Sequence, residues 1–472
     1  MPSPWQVECL LIRMDSLRNE ILRVKNKDRP YTETDIVYDS LVAVIKSRHD
    51  MVTKAQKLYA AKGTLIPQSV FNHRAKDLET IFKFFSYTDR VDSPRIPFEV
   101  LRSLSWVAND LFGEKCYAVV RLEPEYNYAI LSCRREFERN GWGQYWQYAP
   151  EEDTRASGSS DRKAAPNVLL LGFPSPDAGS TLVHALAAHE FGHEFAHKWN
   201  DDLTEVREQV VSEVKSFYNT VLQDYTSGIF RRQEGESQDD VSEKARKYLL
   251  ALIESISSSW LKEIFSDLAA ARLVGPAFLA AFDRIIIGHG KGSEKYPPAS
   301  LRRSLVRRYL EKLLPQVISD PTWAQLFDNS ALVDLPSDEL FRVMQQVFDG
   351  VIDKLIPILN RIPSPLTRLK ANELSDLLET MEEHIDNLAP PSVPLSVGDK
   401  LPDTEKFWLL VFVAWHYRLS DRFDELRRLC GDDTDSARAE EILGNLLLHS
   451  LQSLELRARW HEAMNQKRSN VH

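Results

Sequence analysis

Between Ser180 and Trp199 the chain reads STLVHALAAHEFGHEFAHKW, which sets His189, Glu190 and His193 in the spacing H-E-x-x-H. On a helix, residues four apart lie one above the other on the same face. Two imidazoles placed this way can share one tetrahedral metal ion. The carboxylate beside the first histidine then points toward the remaining, water-occupied position. The chemistry this permits is metal-assisted hydrolysis. Zn2+ polarises a carbonyl and acidifies a water, and Glu190 carries the proton from that water to the leaving group.

A second register overlaps the first. His193, Glu194 and His197 also read H-E-x-x-H, and both registers cannot hold one metal in the same way. The first is favoured. Apolar residues precede it, and Gly192 lies inside it, whereas Lys198 follows the second where a buried helix should continue. On this reading His197 sits at the edge of the site, Glu194 points elsewhere, and His184 lies on a different face in a structural role. The flanking Leu182, Val183, Ala185, Leu186, Ala187, Ala188, Phe191, Phe195 and Ala196 surround the helix, which predicts burial. Buried imidazoles and a carboxylate need partners, and a metal is one such partner. Glycine costs about 1 kcal/mol relative to alanine inside a helix, so Gly192 predicts close approach by another element.

The third ligand is expected from WLKEIFSDL, Trp260 to Leu268. Glu263 and Asp267 are two acids four residues apart on an apolar helix, and they repel unless a cation or an imidazole lies between them. Glu263 is the expected ligand. Asp267 is expected to accept a hydrogen bond from a liganding histidine and so to fix its tautomer. A donor must also stabilise the oxyanion of the tetrahedral intermediate. Tyr296 and His289, both in the Gly/Pro-rich stretch 288–300, are the candidates.

H-E-F-G-H at His189–His193, followed some seventy residues later by E-x-x-x-D at Glu263–Asp267, resembles the gluzincin metallopeptidases, with the CAAX-prenyl peptidase/HtpX-like group as the nearest pattern. The resemblance covers the middle third of the chain. It implies one zinc ion on His189, His193 and Glu263, with Glu190 as general base. Tyr296, Pro297, Pro298 and Arg302 fall where such enzymes often carry a His-Pro or Tyr element. Members of that group are commonly membrane-embedded, so their substrates do not carry over.

The elements that must position these residues are mostly helical. Helical periodicity runs through residues 3 to 87, with Gly63 as a stop after the second helix. Residues 86–97 shift to Asp, Ser, Pro and Arg, and mark a boundary. KCYAVVRL (115–122) and YNYAILSC (126–133) read as a hairpin or as adjacent strands. GWGQYWQY (141–148) reads as partly extended, 149–165 as a loop, and NVLLLGF (167–173) as a strand. That last strand could bind a substrate backbone beside the site helix, or simply be a core strand. A helix is expected over 202–230, and helices continue to the end of the sequence, with APPSVPLSVGDKLP (389–402) as a connection. The expected fold is α+β and predominantly α-helical, with a small β-sheet packed on the H-E-x-x-H helix and helical domains on its flanks. The divisions are 1–90, an N-terminal helical domain; 91–310, the metallopeptidase core; 311–390, a helical extension; and 391–472, a C-terminal helical segment.

Composition narrows the class. A hydrophobic fraction of 43% in 472 residues supports large cores. The formal net charge of -10, from 59 Lys+Arg and 69 Asp+Glu, offers no electrostatic case for nucleic acid. Cys9, Cys116, Cys133 and Cys430 form neither a CxxC pair nor a disulfide framework. The N-terminal stretch lacks a signal-peptide pattern, and FWLLVFVAWHY (407–417) is too short to span a bilayer. The expectation is a cytoplasmic zinc-dependent peptidase without a membrane partner. It would be an endopeptidase on a protein or peptide substrate, with a regulatory protein docking on the helical flanks. The rivals are a non-proteolytic zinc hydrolase such as an amidase, and a helical interaction protein with a structural or vestigial metal site.

Overall fold

Amphipathic periodicity in the first ninety residues produces three helices in the computed structural model: α1 (Pro4–Lys25), α2 (Thr34–Ala61) and α3 (Gln68–Asp89). The structure describes residues 1–26, 34–89, 98–113, 115–123, 128–146, 166–174, 180–217, 238–285, 293–324, 326–327, 339–430 and 436–469. It divides into two compact units, Met1–Gly179 and Ser180–His472. The fold is α+β and predominantly helical, with one small mixed sheet.

In the first unit, Val7, Leu10, Met14, Leu17 and Ile21 bury one stripe of α1, and Val37, Leu41, Val44 and Ile45 bury one stripe of α2. Gly63 stops the chain after α2 in the left-handed region, at φ 65°. After α4 (Phe98–Phe112) come β1 (Cys116–Glu123), β2 (Ala129–Ser132), α5 (Cys133–Arg139), the single turn α6 (Gly143–Trp146) and β3 (Asn167–Pro174). The strands are ordered β1-β3-β2, with β3 parallel to β1 and antiparallel to β2. The expected adjacency of the first two strands is therefore corrected, because β3 lies between them. Its composition explains the place. VLLLGF is apolar on both faces and buried throughout, as a central strand must be. The stretch at 141–148, expected to be partly extended, is helical over Gly143–Trp146. Its aromatic residues fill a core instead: Phe137 meets Trp142 at 5.8 Å and Trp146 at 5.0 Å between ring centroids.

The second unit is helical: α7 (His184–Lys198), α8 (Asn200–Ser216), α9 (Gln238–Val274), α10 (Ala277–Ile285), α11 (Ala299–Leu313), α12 (Glu339–Asp349), α13 (Ile352–Leu359), α14 (Ala371–Asp386), α15 (Asp403–Leu419), α16 (Arg422–Leu429) and α17 (Ser436–Ser469). The helix expected over 202–230 ends at Ser216, and 218–230 lie outside the described residues. From Phe407 to Tyr417, α15 is buried on every side and forms the centre of this core. His416 in α15 carries a carboxylate on each ring nitrogen: Glu382 Oε1 lies 2.6 Å from Nδ1, and Asp320 Oδ2 lies 3.0 Å from Nε2. Among the described residues no helix is long and apolar enough to cross a membrane.

Candidate metal centre

The site is built where α7 crosses α9. Alanines at 185, 187 and 188, with Leu186, Phe191 and Phe195, bury α7 against α9, α10 and α15. Its N-terminal end is held by the 3-10 turn Thr181–Val183, where Trp415 Nε1 donates to Leu182 O at 2.9 Å and Thr181 Oγ1 donates to Gly444 O at 2.8 Å. Gly192 lies at the crossing. A Cβ built there would sit 2.6 Å from Ser266 Cα and 2.8 Å from Ser266 O, so only glycine permits this approach.

The crossing brings His189 and His193 of α7 onto Glu263 of α9. One ligand atom from each lies within 4.8 Å of the others, and this is the one such group of three among the described residues. His189 Nε2 is 3.6 Å from Glu263 Oε2, and His193 Nε2 is 3.7 Å from Glu263 Oε1. Both separations exceed ordinary hydrogen-bond length. They approach the donor–donor edge of a tetrahedral zinc site, which is about 3.4 Å for ligand bonds of roughly 2.0–2.1 Å. The two imidazoles meet edge-on at 86°, and Phe278 of α10 lies parallel to the His189 ring, 5.9 Å away. Two imidazoles and a carboxylate form a donor set suited to catalytic zinc.

The nitrogens turned away from this point are also engaged. His189 Nδ1 lies 2.9 Å from Asp267 Oδ1, within ion-pair reach. His193 Nδ1 lies 3.0 Å from Ser266 Oγ. Asp267 is buried and is clamped by Arg302 of α11, whose Nε and Nη2 donate to Oδ2 and Oδ1 at 2.6 and 2.7 Å. The Arg302 guanidinium lies over Phe282 at 4.6 Å and reaches Glu263 Oε2 at 3.5 Å. The loop before α11 is tied to α9, since Trp260 Nε1 donates to Ser293 O at 2.8 Å and Ser293 N donates to Tyr296 O at 2.8 Å.

Charge at this crossing is set by burial working against neighbours. Burial disfavours the His189 imidazolium, but the contacts with Asp267 and Glu263 outweigh it and push its pKa up to about 10. Burial, then the His189 charge, drive His193 down to about 3, so that ring is neutral. Burial raises Glu190 to about 7, against the pull of His189. Burial opposes ionisation of Glu263 and Asp267 too. The His189 contacts on Glu263, and the Arg302 charge and hydrogen bonds on Asp267, hold both below the usual carboxylate range.

His189, His193, Glu263 and Asp267 are thus brought together, and Glu190 is close enough to feel the charges of His189 and Glu263. Tyr296 is half exposed and lies close enough that, after burial, Glu263 and Glu190 raise its phenol pKa. His289 lies outside the described residues. His197 is exposed and is no member of the group, while His184 is buried with Nδ1 2.5 Å from Thr181 O. Sequence reasoning did not find Ser266 or the Arg302–Asp267 clamp. The signal for the clamp was an arginine following Tyr-Pro-Pro. For Ser266 it was only a serine beside the acid. No family model, curated protein or solved structure matches the chain.

Proposed function

We propose that the chain is a zinc-dependent peptidase. The observation that carries this reading is the convergence of the half-buried His189 Nε2, His193 Nε2 and Glu263 carboxylate on one point, with the buried Glu190 on the same helix. Zinc held by His189, His193 and Glu263 would supply Lewis acidity and a water acidified to a pKa of about 7.

The chain's own residues do the rest. Glu190, buried and with its pKa raised to about 7, takes a proton from the attacking water and returns it to the leaving amine. Asp267 orients His189, and Arg302 keeps Asp267 ionised in a place where water cannot. Tyr296 keeps its phenolic proton at neutral pH and is the donor for the oxyanion. The substrate is a peptide or protein. The four free cysteines, two of them buried, suit a reducing cytoplasmic setting.

Zinc content and peptidase activity of the wild type, Glu190→Gln and Glu263→Ala test this. Glu190→Gln should retain zinc and lose activity by at least a hundredfold, on the order of what general-base catalysis supplies. Glu263→Ala should lose zinc. Full zinc occupancy in the His189→Ala/His193→Ala double variant would remove the site altogether.

A further inference from the structure

Three groups that bear directly on the paired histidines come from one turn of α9. Glu263 faces both Nε2 atoms, Asp267 faces His189 Nδ1, and Ser266 faces His193 Nδ1. The two orienting groups differ in kind. A carboxylate only accepts, so Asp267 fixes a proton on His189 Nδ1. A hydroxyl donates one hydrogen bond and accepts others, and Ser266 Oγ has two partners in reach: His193 Nδ1 at 3.0 Å and the carbonyl of Lys262, one helical turn back, at 2.9 Å.

We infer that Ser266 is the positioning residue of His193: its proton turns to Lys262 O, and Oγ accepts the His193 Nδ1–H, which leaves the Nε2 lone pair facing Glu263 for a metal ion. The inference rests on the proposed metal site and names the residue that completes it. The backbone fixes the hydroxyl in place. Ser266 is fully buried, and its Cα and carbonyl are the very atoms that abut Gly192, one residue before His193. The helix crossing thus sets the distance from Oγ to the imidazole without help from solvent. Lys262 O matters because it receives the serine proton. With no second acceptor, the hydroxyl would donate to Nδ1 and drive the ring proton onto Nε2, where it would compete with the metal.

The test is the zinc dissociation constant, measured by chelator competition, for the wild type, Ser266→Ala and Ser257→Ala. Ser257 is another buried serine of α9 and lies outside the site, beside Met344. Loss of an orienting partner typically weakens metal binding about 10–100-fold. Ser266→Ala is expected to fall in that range with its unfolding transition retained, while Ser257→Ala binds as the wild type does. Nitrogen-15 histidine spectra of the zinc-loaded protein supply a readout that packing alone would not move. The His193 Nδ1–H signal should be slow to exchange in the wild type and exchange-broadened in Ser266→Ala. Equal zinc affinity and equal exchange in wild type and Ser266→Ala would overturn the role of Ser266 and leave the metal site standing. A wild type that binds no zinc would overturn both.

Discussion

Gly192 and Ser266 touch backbone to backbone: a Cβ on the first would lie 2.6 Å from the Cα of the second. In an open helix, Gly192→Ala would gain about 1 kcal/mol from propensity. Here the added carbon meets main-chain atoms that cannot rotate away, and overpacking of this kind costs about 1–3 kcal/mol. The substitution is expected to lower the unfolding midpoint and to weaken zinc binding together, because His193 and Ser266 are carried on the two helices it pushes apart. Urea unfolding and a zinc titration on the same sample check this. A stabilised Gly192→Ala with unchanged affinity would contradict the crossing described.

Arg302 and Asp267 form a bidentate pair away from solvent. Arg302→Met leaves the carboxylate buried and unpaired, and removing one partner of such a pair costs about 3–5 kcal/mol. Arg302→Lys keeps the charge but loses the fork, so it should fall between the two. Denaturant unfolding of the three proteins gives the order. A wild-type midpoint in Arg302→Met would show the pair to be dispensable.

Zinc binding should release protons. In the metal-free chain the His189 pKa lies near 10, because the contacts with Asp267 and Glu263 overcome burial. The ring therefore holds, at neutral pH, a proton that must leave before Nε2 can donate to a metal. Over the range below that pKa, apparent affinity should tighten about tenfold for each pH unit of increase, with about one proton released per ion. Calorimetry in buffers of different ionisation heat reads the proton directly, and pH-independent binding without proton release would refute it.

His416 gives a stability prediction of its own. Burial alone would lower its pKa, but hydrogen bonds to Asp320 and Glu382 raise it to about 9. A folded-state pKa above the unfolded value near 6.5 stabilises the fold fully below pH 6.5, and this contribution is lost as pH rises through 9. The contribution is on the order of 3 kcal/mol at the acid end. Urea unfolding from pH 6 to 10 should show the decline, and His416→Phe should flatten it. An identical pH slope in that variant would assign the effect to other groups.

The site was legible because its parts are local patterns. His189 and His193 are one helical turn apart, as are Glu263 and Asp267, and apolar neighbours gave away the burial of both helices. Gly192 was legible as a close approach because glycine is costly inside a helix. The partner at that approach was not, since any buried residue could have stood there. Ser266 and the Arg302–Asp267 clamp depend on which side chains α9 and α11 turn toward each other, and helical spacing alone does not encode that. The sheet order was missed for a related reason. The first two strands are neighbours in sequence, which favours pairing them, but only the third carries the apolar run that a central position demands.

The position of β3 has a consequence for biosynthesis. A nascent chain that has emerged only as far as Ser132 holds two strands whose backbone groups bond to β3 and not to each other. The native partner of both is Asn167–Pro174, more than thirty residues further along the chain. Assembly of this sheet is thus non-local: neither β1 nor β2 can find its native partner before β3 is present, and contacts of this kind form slowly and leave strand edges exposed in the meantime.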